Sequence, residues 1–193
     1  MARLIPHLIT GLRLAIAYPF FLAMRGDPSD VATLAALLFV LAIATDLADG
    51  RLARWLGTES SLGRSLDHSA DCVFVVSGLL GAAMRGALPY WLPIAVLVAF
   101  LQYTVDSFLL QGRSGLRMSR LGRWNGILYF VPLAGDILVR LGLGGLAPVV
   151  LLLSWGLVLT TLLSMGLRAW GLVRSLRTAP GSPAEGTPGR SVH

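Results

Sequence analysis

Lysine is absent from this chain, cysteine occurs once, and only 13% of the residues are charged. Each shortage excludes something. With a single thiol, Cys72, the chain can form neither an intrachain disulfide nor a cysteine-based zinc site. About a quarter of an ordinary soluble domain is charged, so this chain has too little polar side chain to cover a water-soluble globule. The net charge of +6 comes entirely from arginine. Most of those arginines sit between apolar segments, which speaks for membrane topology and against a nucleic-acid partner. The first apolar segment lacks a small-residue cleavage site and runs straight on, so no cleavable signal is expected.

Apolar residues are abundant, at 55% of the chain with a mean hydropathy of +0.72. Runs such as "VATLAALLFVLAIA" and "LAPVVLLLSWGLVLTTLLSM" reach, with their flanks, the roughly 20 residues that cross a hydrocarbon core. The expectation is an all-α, polytopic membrane protein with six transmembrane helices, over residues 5–24, 31–48, 66–84, 89–110, 124–141 and 146–170. They form one domain over 1–177. The last stretch, 178–193, "TAPGSPAEGTPGRSVH", is too rich in Gly, Pro and Ser to pack and is expected to be a disordered tail. If six helices alternate, eleven arginines, among them Arg3, Arg51, Arg54, Arg64 and Arg174, fall on one side. Arg25, Arg85 and Arg140 fall on the other. The positive-inside rule then places both termini and the loop after the second helix in the cytoplasm.

Within "DLADGRLARWLGTESSLGRSLDHSAD" stand four carboxylates that a bilayer-embedded chain would normally exclude. Asp46 and Asp49 are three apart, and Asp67 and Asp71 four apart, so each pair shares a helix face. The first pair is expected to close the second helix and the second pair to open the third. In an antiparallel hairpin all four then converge at one depth. Four such groups cannot all stay ionised without a countercharge. One or two divalent cations supply it, and a set of hard oxygens favours Mg²⁺ or Mn²⁺. Two ions about 3.5–4 Å apart form a clamp for displacement at phosphorus. Gly50, Ala53 and Gly63 leave room for close approach, and Arg54 offers a planar fork to a diphosphate.

The pattern Asp46-x-x-Asp49-Gly50-x-x-Ala53-Arg54, eight residues, then Gly63-x-x-x-Asp67-x-x-x-Asp71 resembles the full signature of the CDP-alcohol phosphotransferases. The opening "IPHLITGLR" is similar to that family's first segment through Pro6, Thr10 and Arg13, with His7 where asparagine is common. The resemblance implies transfer of a substituted phosphoryl group from a CDP-linked donor to an alcohol, with release of CMP. It implies that Asp46, Asp49 and Asp67 hold metal, and that Asp71 is a further ligand or the general base. Gly50, Ala53, Arg54, Gly63 and Thr10 would line the CDP site. The donor expected is a lipid, CDP-diacylglycerol, reacting where bilayer and cytoplasm meet, with membrane lipids as its surroundings.

The acceptor is less legible. Arg113, Arg117, Arg120 and Arg123 in "LRMSRLGR" and just before it are candidates for a phosphorylated acceptor such as glycerol 3-phosphate or inositol phosphate. Topology and anionic headgroups would explain them equally. Cys72 follows the last motif Asp where many relatives place Lys or Arg, and it reads as a small packed hydrophobe. "Asp-His" at 67–68 resembles choline and ethanolamine phosphotransferases, the alternative reading, with diacylglycerol as acceptor. Gln102, Tyr103 and Asp106 form a polar patch in the fourth helix, Asp106 being an acceptor-site candidate that Asn125 could join. Asp136 and Arg140, four apart, are expected to pair with each other.

Gly78 and Gly81, with Ser77 and Ala82, offer a small-residue packing face that could support a homodimer. "LGLGGL" reads as the turn between the last two helices. Ser65, Asp67 and His68 lie too close along one helix to form a hydrolytic triad. Aspartate-rich membrane prenyltransferases need a second acidic motif, which does not follow Asp71. A cation transporter would carry acids deep in several helices.

Overall fold

A segment that meets no water must satisfy its own backbone polar groups, and within one run of chain only a helix does so. In the computed structural model, residues 5–26, 29–56, 61–109 and 127–177 are described, with side chains over 11–26, 31–48, 68–105 and 127–171. Among these residues every regular element is helical. They are α1 (Ile5–Arg25), α2 (Ser29–Leu56), α3 (Ser61–Met84), α4 (Trp91–Leu109), α5 (Phe130–Arg140) and α6 (Ala147–Arg177), with a 3₁₀ turn at Gly144–Leu146. The tail at 178–193 lies outside the described residues.

Two stretches are long and apolar enough to cross a membrane, Val31–Ala48 and Gly144–Gly171. Only 22% and 28% of these windows are buried within the protein, so most of their apolar side chains face outward. Leu37 is 64% exposed and Leu152 74%. A soluble core helix would bury such residues, whereas a hydrocarbon solvent accepts them. Shorter apolar helices cover His68–Met84 and Trp91–Val105.

α3 packs against α1, α4 and α5, while α6 lies on α4 and α5, and α2 on α1 and α5. Aromatic rings link four of these helices. Phe20 of α1 stacks on Phe74 of α3 at 4.4 Å between centroids and 8° between planes. It also meets Phe39 of α2 at 6.2 Å, and Phe39 meets Phe130 of α5 at 6.1 Å. Offset aromatic contacts of this kind add to the burial that holds the bundle.

Glycine stops two helices. Gly86 has φ +84° and Gly142 φ +114°, conformations in which a Cβ would be strained. After α3, Gly86 donates to the Ala83 carbonyl and Ala87 to that of Ala82; after α5, Gly142 donates to Val139 and Leu143 to Leu138. Both are Schellman closures, which satisfy carbonyls that the helix end would orphan. The second is the expected "LGLGGL" turn.

Three expectations need correction. First, α2 continues to Leu56 and α3 begins at Ser61, so Asp46 and Asp49 lie inside α2 and do not close it. The polar segment "GRLARWL" extends the helix because a helix end is set by capping and backbone geometry, not by loss of hydropathy. Second, Asp136 pairs with Arg85, whose Nη2 lies 2.7 and 2.6 Å from its two carboxylate oxygens. Arg140 instead donates to the carbonyls of Ala23 and Gly26, at 2.9 and 2.5 Å. Helix ends supply strong acceptors, so Arg140 caps α1 while Asp136 takes Arg85 from the turn that follows α3. Third, the Gly78–Gly81 face packs within the chain: a Cβ on Gly81 would stand 2.6 Å from the Phe21 carbonyl oxygen of α1. That face is therefore not available to a second copy.

Candidate active site

The end of the bundle opposite the Arg85–Asp136 pair carries the acids. Asp46 comes from α2 and Asp71 from α3, and both reach one cation, Arg13 of α1. Arg13 Nη1 lies 2.5 Å from Asp71 Oδ1, and Nη2 lies 3.2 Å from Asp46 Oδ1. The guanidinium is 1% exposed, while the Asp46 and Asp71 side chains are 47% and 28% exposed. Burial of a guanidinium is costly unless carboxylates compensate it, and among the described side chains Asp46 and Asp71 do so. The acids keep open faces where the arginine does not.

These three residues form one wall of a cavity of about 630 Å³. Much of the remaining lining is apolar, including Ile43, Phe74, Val75, Phe100, Ile127 and Met165. A chamber with charge at one wall and hydrocarbon around it suits a ligand with an ionic head and an apolar body.

A second polar strip faces the same cavity from α6. Thr161, Ser164 and Arg168 are three and four residues apart and so share a helix face. Tyr129, from the turn before α5, shares a 2.7 Å hydrogen bond with Thr161 Oγ1. The Arg168 guanidinium lies over the Tyr103 ring, 5.7 Å from its centroid, and its buried Nε makes no hydrogen bond among the described residues. His68, exposed at the rim, meets the rings of Phe100 and Tyr103 at 5.4 and 5.7 Å. Gln102 donates to the Met165 carbonyl at 3.2 Å, which ties α4 to α6. Cys72 lines the cavity one residue beyond Asp71.

Asp46, Asp71, His68, Cys72 and Tyr103 are thus gathered at one cavity. Asp49 and Asp67 belong to helical backbone, one turn after Asp46 and one turn before Asp71, but their side chains lie outside the described residues. The same holds for the side chains of Thr10, Gly50, Ala53, Arg54, Gly63 and Asp106. Arg113, Arg117, Arg120, Arg123 and Asn125 lie wholly outside. Among the described residues no group of three or more His, Cys, Asp or Glu side chains is placed to hold a metal ion. Arg168, Thr161, Ser164 and Tyr129 were not singled out from sequence. The available signal was the spacing of Thr161, Ser164 and Arg168 along an otherwise apolar helix.

The family model for CDP-alcohol phosphatidyltransferase matches residues 3–172. A Mycobacterium tuberculosis protein named "Probable phosphatidylglycerophosphate synthase" is 35% identical over 102 residues, which is 51% of this chain and 49% of the relative. The match therefore spans about half the length of that relative. The cardiolipin synthase (CMP-forming) of Streptomyces coelicolor is 32% identical over 161 residues, 78% of this chain and 72% of the relative. A CDP-diacylglycerol–glycerol-3-phosphate 3-phosphatidyltransferase of Cereibacter sphaeroides is 34% identical over 138 residues, 67% of this chain and 61% of the relative. No solved structure matches.

Proposed function

The chain belongs to the CDP-alcohol phosphatidyltransferase family, and on that premise we propose that it transfers the phosphatidyl group of CDP-diacylglycerol to a hydroxyl of glycerol 3-phosphate. The acceptor oxygen attacks the lipid-side phosphorus. The bond from that phosphorus to the bridging oxygen breaks, CMP leaves with the oxygen and its electron pair, and the acceptor proton passes to Asp71. The observation that carries this reading is the convergence of Asp46 and Asp71 on one wall of an otherwise largely apolar cavity. Such a chamber would hold a diphosphate at the acids and acyl chains against hydrocarbon.

Divalent metal suits the same wall. The carboxylates of Asp46 and Asp71 already converge on one cation, Arg13, and hard oxygen donors of this kind bind Mg²⁺ or Mn²⁺. Asp46, Asp49, Asp67 and Asp71 would hold the ion or ions. When bound, the metal neutralises charge building on the phosphoryl and leaving oxygens. Gly50, Ala53, Gly63, Arg54 and Thr10 would cradle the cytidine diphosphate. Arg168, which lines the cavity, would draw the acceptor's phosphate into it, since a guanidinium makes charge-assisted pairs with phosphate oxygens. Arg113, Arg117, Arg120 and Arg123 would gather the same anion at the mouth. Six membrane spans with both termini in the cytoplasm would put soluble acceptor and CMP on one side of a bacterial inner membrane. A homodimer, if formed, would use a face other than Gly78–Gly81.

A second reading has its own support. The relative from Streptomyces coelicolor is matched over most of both chains and is named a cardiolipin synthase. The acceptor would then be a phospholipid with a glycerol hydroxyl, which an apolar cavity also accommodates. Purified protein in lipid micelles, given CDP-diacylglycerol and Mg²⁺, separates the two when its product is identified by mass. Phosphatidylglycerophosphate made from glycerol 3-phosphate supports the first reading. Cardiolipin made only from phosphatidylglycerol replaces it with the second. Product from CDP-choline or CDP-ethanolamine and diacylglycerol alone would overturn both.

A further inference from the structure

Arg13 raises a question that the transfer reaction does not answer. It is the most buried charged group described at this end of the bundle, it comes from α1, and it hydrogen-bonds Asp71 of α3 while ion-pairing with Asp46 of α2. We propose that Arg13 is a positioning residue for transfer: its fork fixes the spacing of Asp46 and Asp71 and turns Asp71 toward the acceptor before metal or substrate arrives.

The geometry requires a fork. Nη1 hydrogen-bonds Asp71, while Nη2 meets Asp46 at 3.2 Å in an ion pair without hydrogen-bond alignment, so the guanidinium spans two carboxylates that belong to different helices. A lysine ammonium carries the same charge as a compact point and cannot reach the two acids from two separate nitrogens. Asp71 Oδ1 is the oxygen engaged by Arg13, which fixes the rotation of that carboxylate, and Asp71 lines the cavity. The arrangement also answers the repulsion among four acids. One fixed positive charge remains at the site whether or not metal is present, and it lowers the mutual destabilisation of the carboxylates. Because Arg13 is anchored by the packing of α1 on α2 and α3, the spacing it imposes is part of the fold.

Two consequences can be measured. Without the resident cation the acids depend more heavily on metal, so binding of Mg²⁺ to the folded state contributes more to stability. Without the fork the charge survives but the geometry does not, and misplacement of a reacting group by about 1 Å can lower turnover by about a hundredfold.

The test uses the full chain purified in detergent, as wild type, Arg13→Lys and Arg13→Gln. Thermal unfolding is followed in EDTA and across a MgCl₂ titration, and kcat and KM are measured with CDP-diacylglycerol. Arg13→Gln should melt well below wild type in EDTA and recover most of that difference in saturating Mg²⁺. Arg13→Lys should retain the donor KM within about twofold while kcat falls at least tenfold. If Arg13→Lys turns over at the wild-type rate, or Arg13→Gln loses the same melting temperature with and without Mg²⁺, the proposal is wrong. The turnover arm rests on the phosphatidyl-transfer reading, whereas the melting arm does not. Wild-type protein that releases no CMP would therefore defeat that reading, with the Mg²⁺-dependent melting of Arg13→Gln still deciding the role of Arg13.

Discussion

Phe20 lies so close to Gly78 that a Cβ on the glycine would stand 2.3 Å from the ring and 2.9 Å from Leu133. The ring cannot swing away easily, since it is fully buried and stacked on Phe74. Gly78→Ala should therefore push α1 from α3 and cost about 1–3 kcal/mol, as overpacking of a filled core does. Gly156 has nothing within 4 Å of its would-be Cβ. Gly156→Ala should leave the melting temperature equal or slightly higher, because alanine favours helix by up to about 1 kcal/mol. Thermal unfolding of the two variants side by side checks both expectations.

The Arg85–Asp136 pair joins the turn after α3 to α5 with side chains 10% and 5% exposed. Asp136→Ala strands a buried guanidinium and should cost about 3–5 kcal/mol, whereas an apolar double substitution such as Arg85→Met with Asp136→Leu should recover much of that loss. A melting series on the singles and the double measures the coupling directly. If the double were no better than either single, the pair would be holding something beyond its own two charges.

Arg168 and its neighbours on α6 should govern the acceptor and not the donor. Arg168→Ala should raise KM for glycerol 3-phosphate by about ten- to a hundredfold, the loss expected for a hydrogen bond to a charged group. The KM for CDP-diacylglycerol should stay within about twofold. A matched rise in both constants would place Arg168 in general packing, where its contact with Tyr103 would suffice to explain it.

The sequence made the acids and their helices readable because spacing of three and four is local information. Hydropathy likewise exposed the helical, membrane character, and "LGLGGL" its turn. What escaped was non-local. Asp136 has Arg140 one turn away, yet its partner is Arg85, 51 residues earlier, because the choice depends on how α3 and α5 meet. Arg13 appeared only as a match to a motif, and its bond to Asp71 spans 58 residues. Arg168 is not legible in the sequence because one cation in an apolar helix carries little meaning until Tyr103 and the cavity are placed beside it. The helix ends of α2 and α3 escape for a different reason, since apolar content falls before the helix does.

Asp71 is expected to take the acceptor proton, and Asp71→Asn is the cleanest way to remove that capacity. The asparagine oxygen can still accept from Arg13 and Asp46 still faces it, so the variant should keep its fold, with a melting temperature below wild type because one compensating charge is gone.

The most direct test of the central claim, that phosphatidyl transfer occurs at the wall formed by Arg13, Asp46 and Asp71, is CMP release by wild type and Asp71→Asn under identical conditions. Both proteins would receive CDP-diacylglycerol, Mg²⁺ and glycerol 3-phosphate or phosphatidylglycerol. Wild type should release CMP together with lipid product, and chelation of the metal should stop it. Folded Asp71→Asn should be slower by about a hundredfold or more, the scale of general base catalysis. CMP release by Asp71→Asn at the wild-type rate would place the chemistry elsewhere.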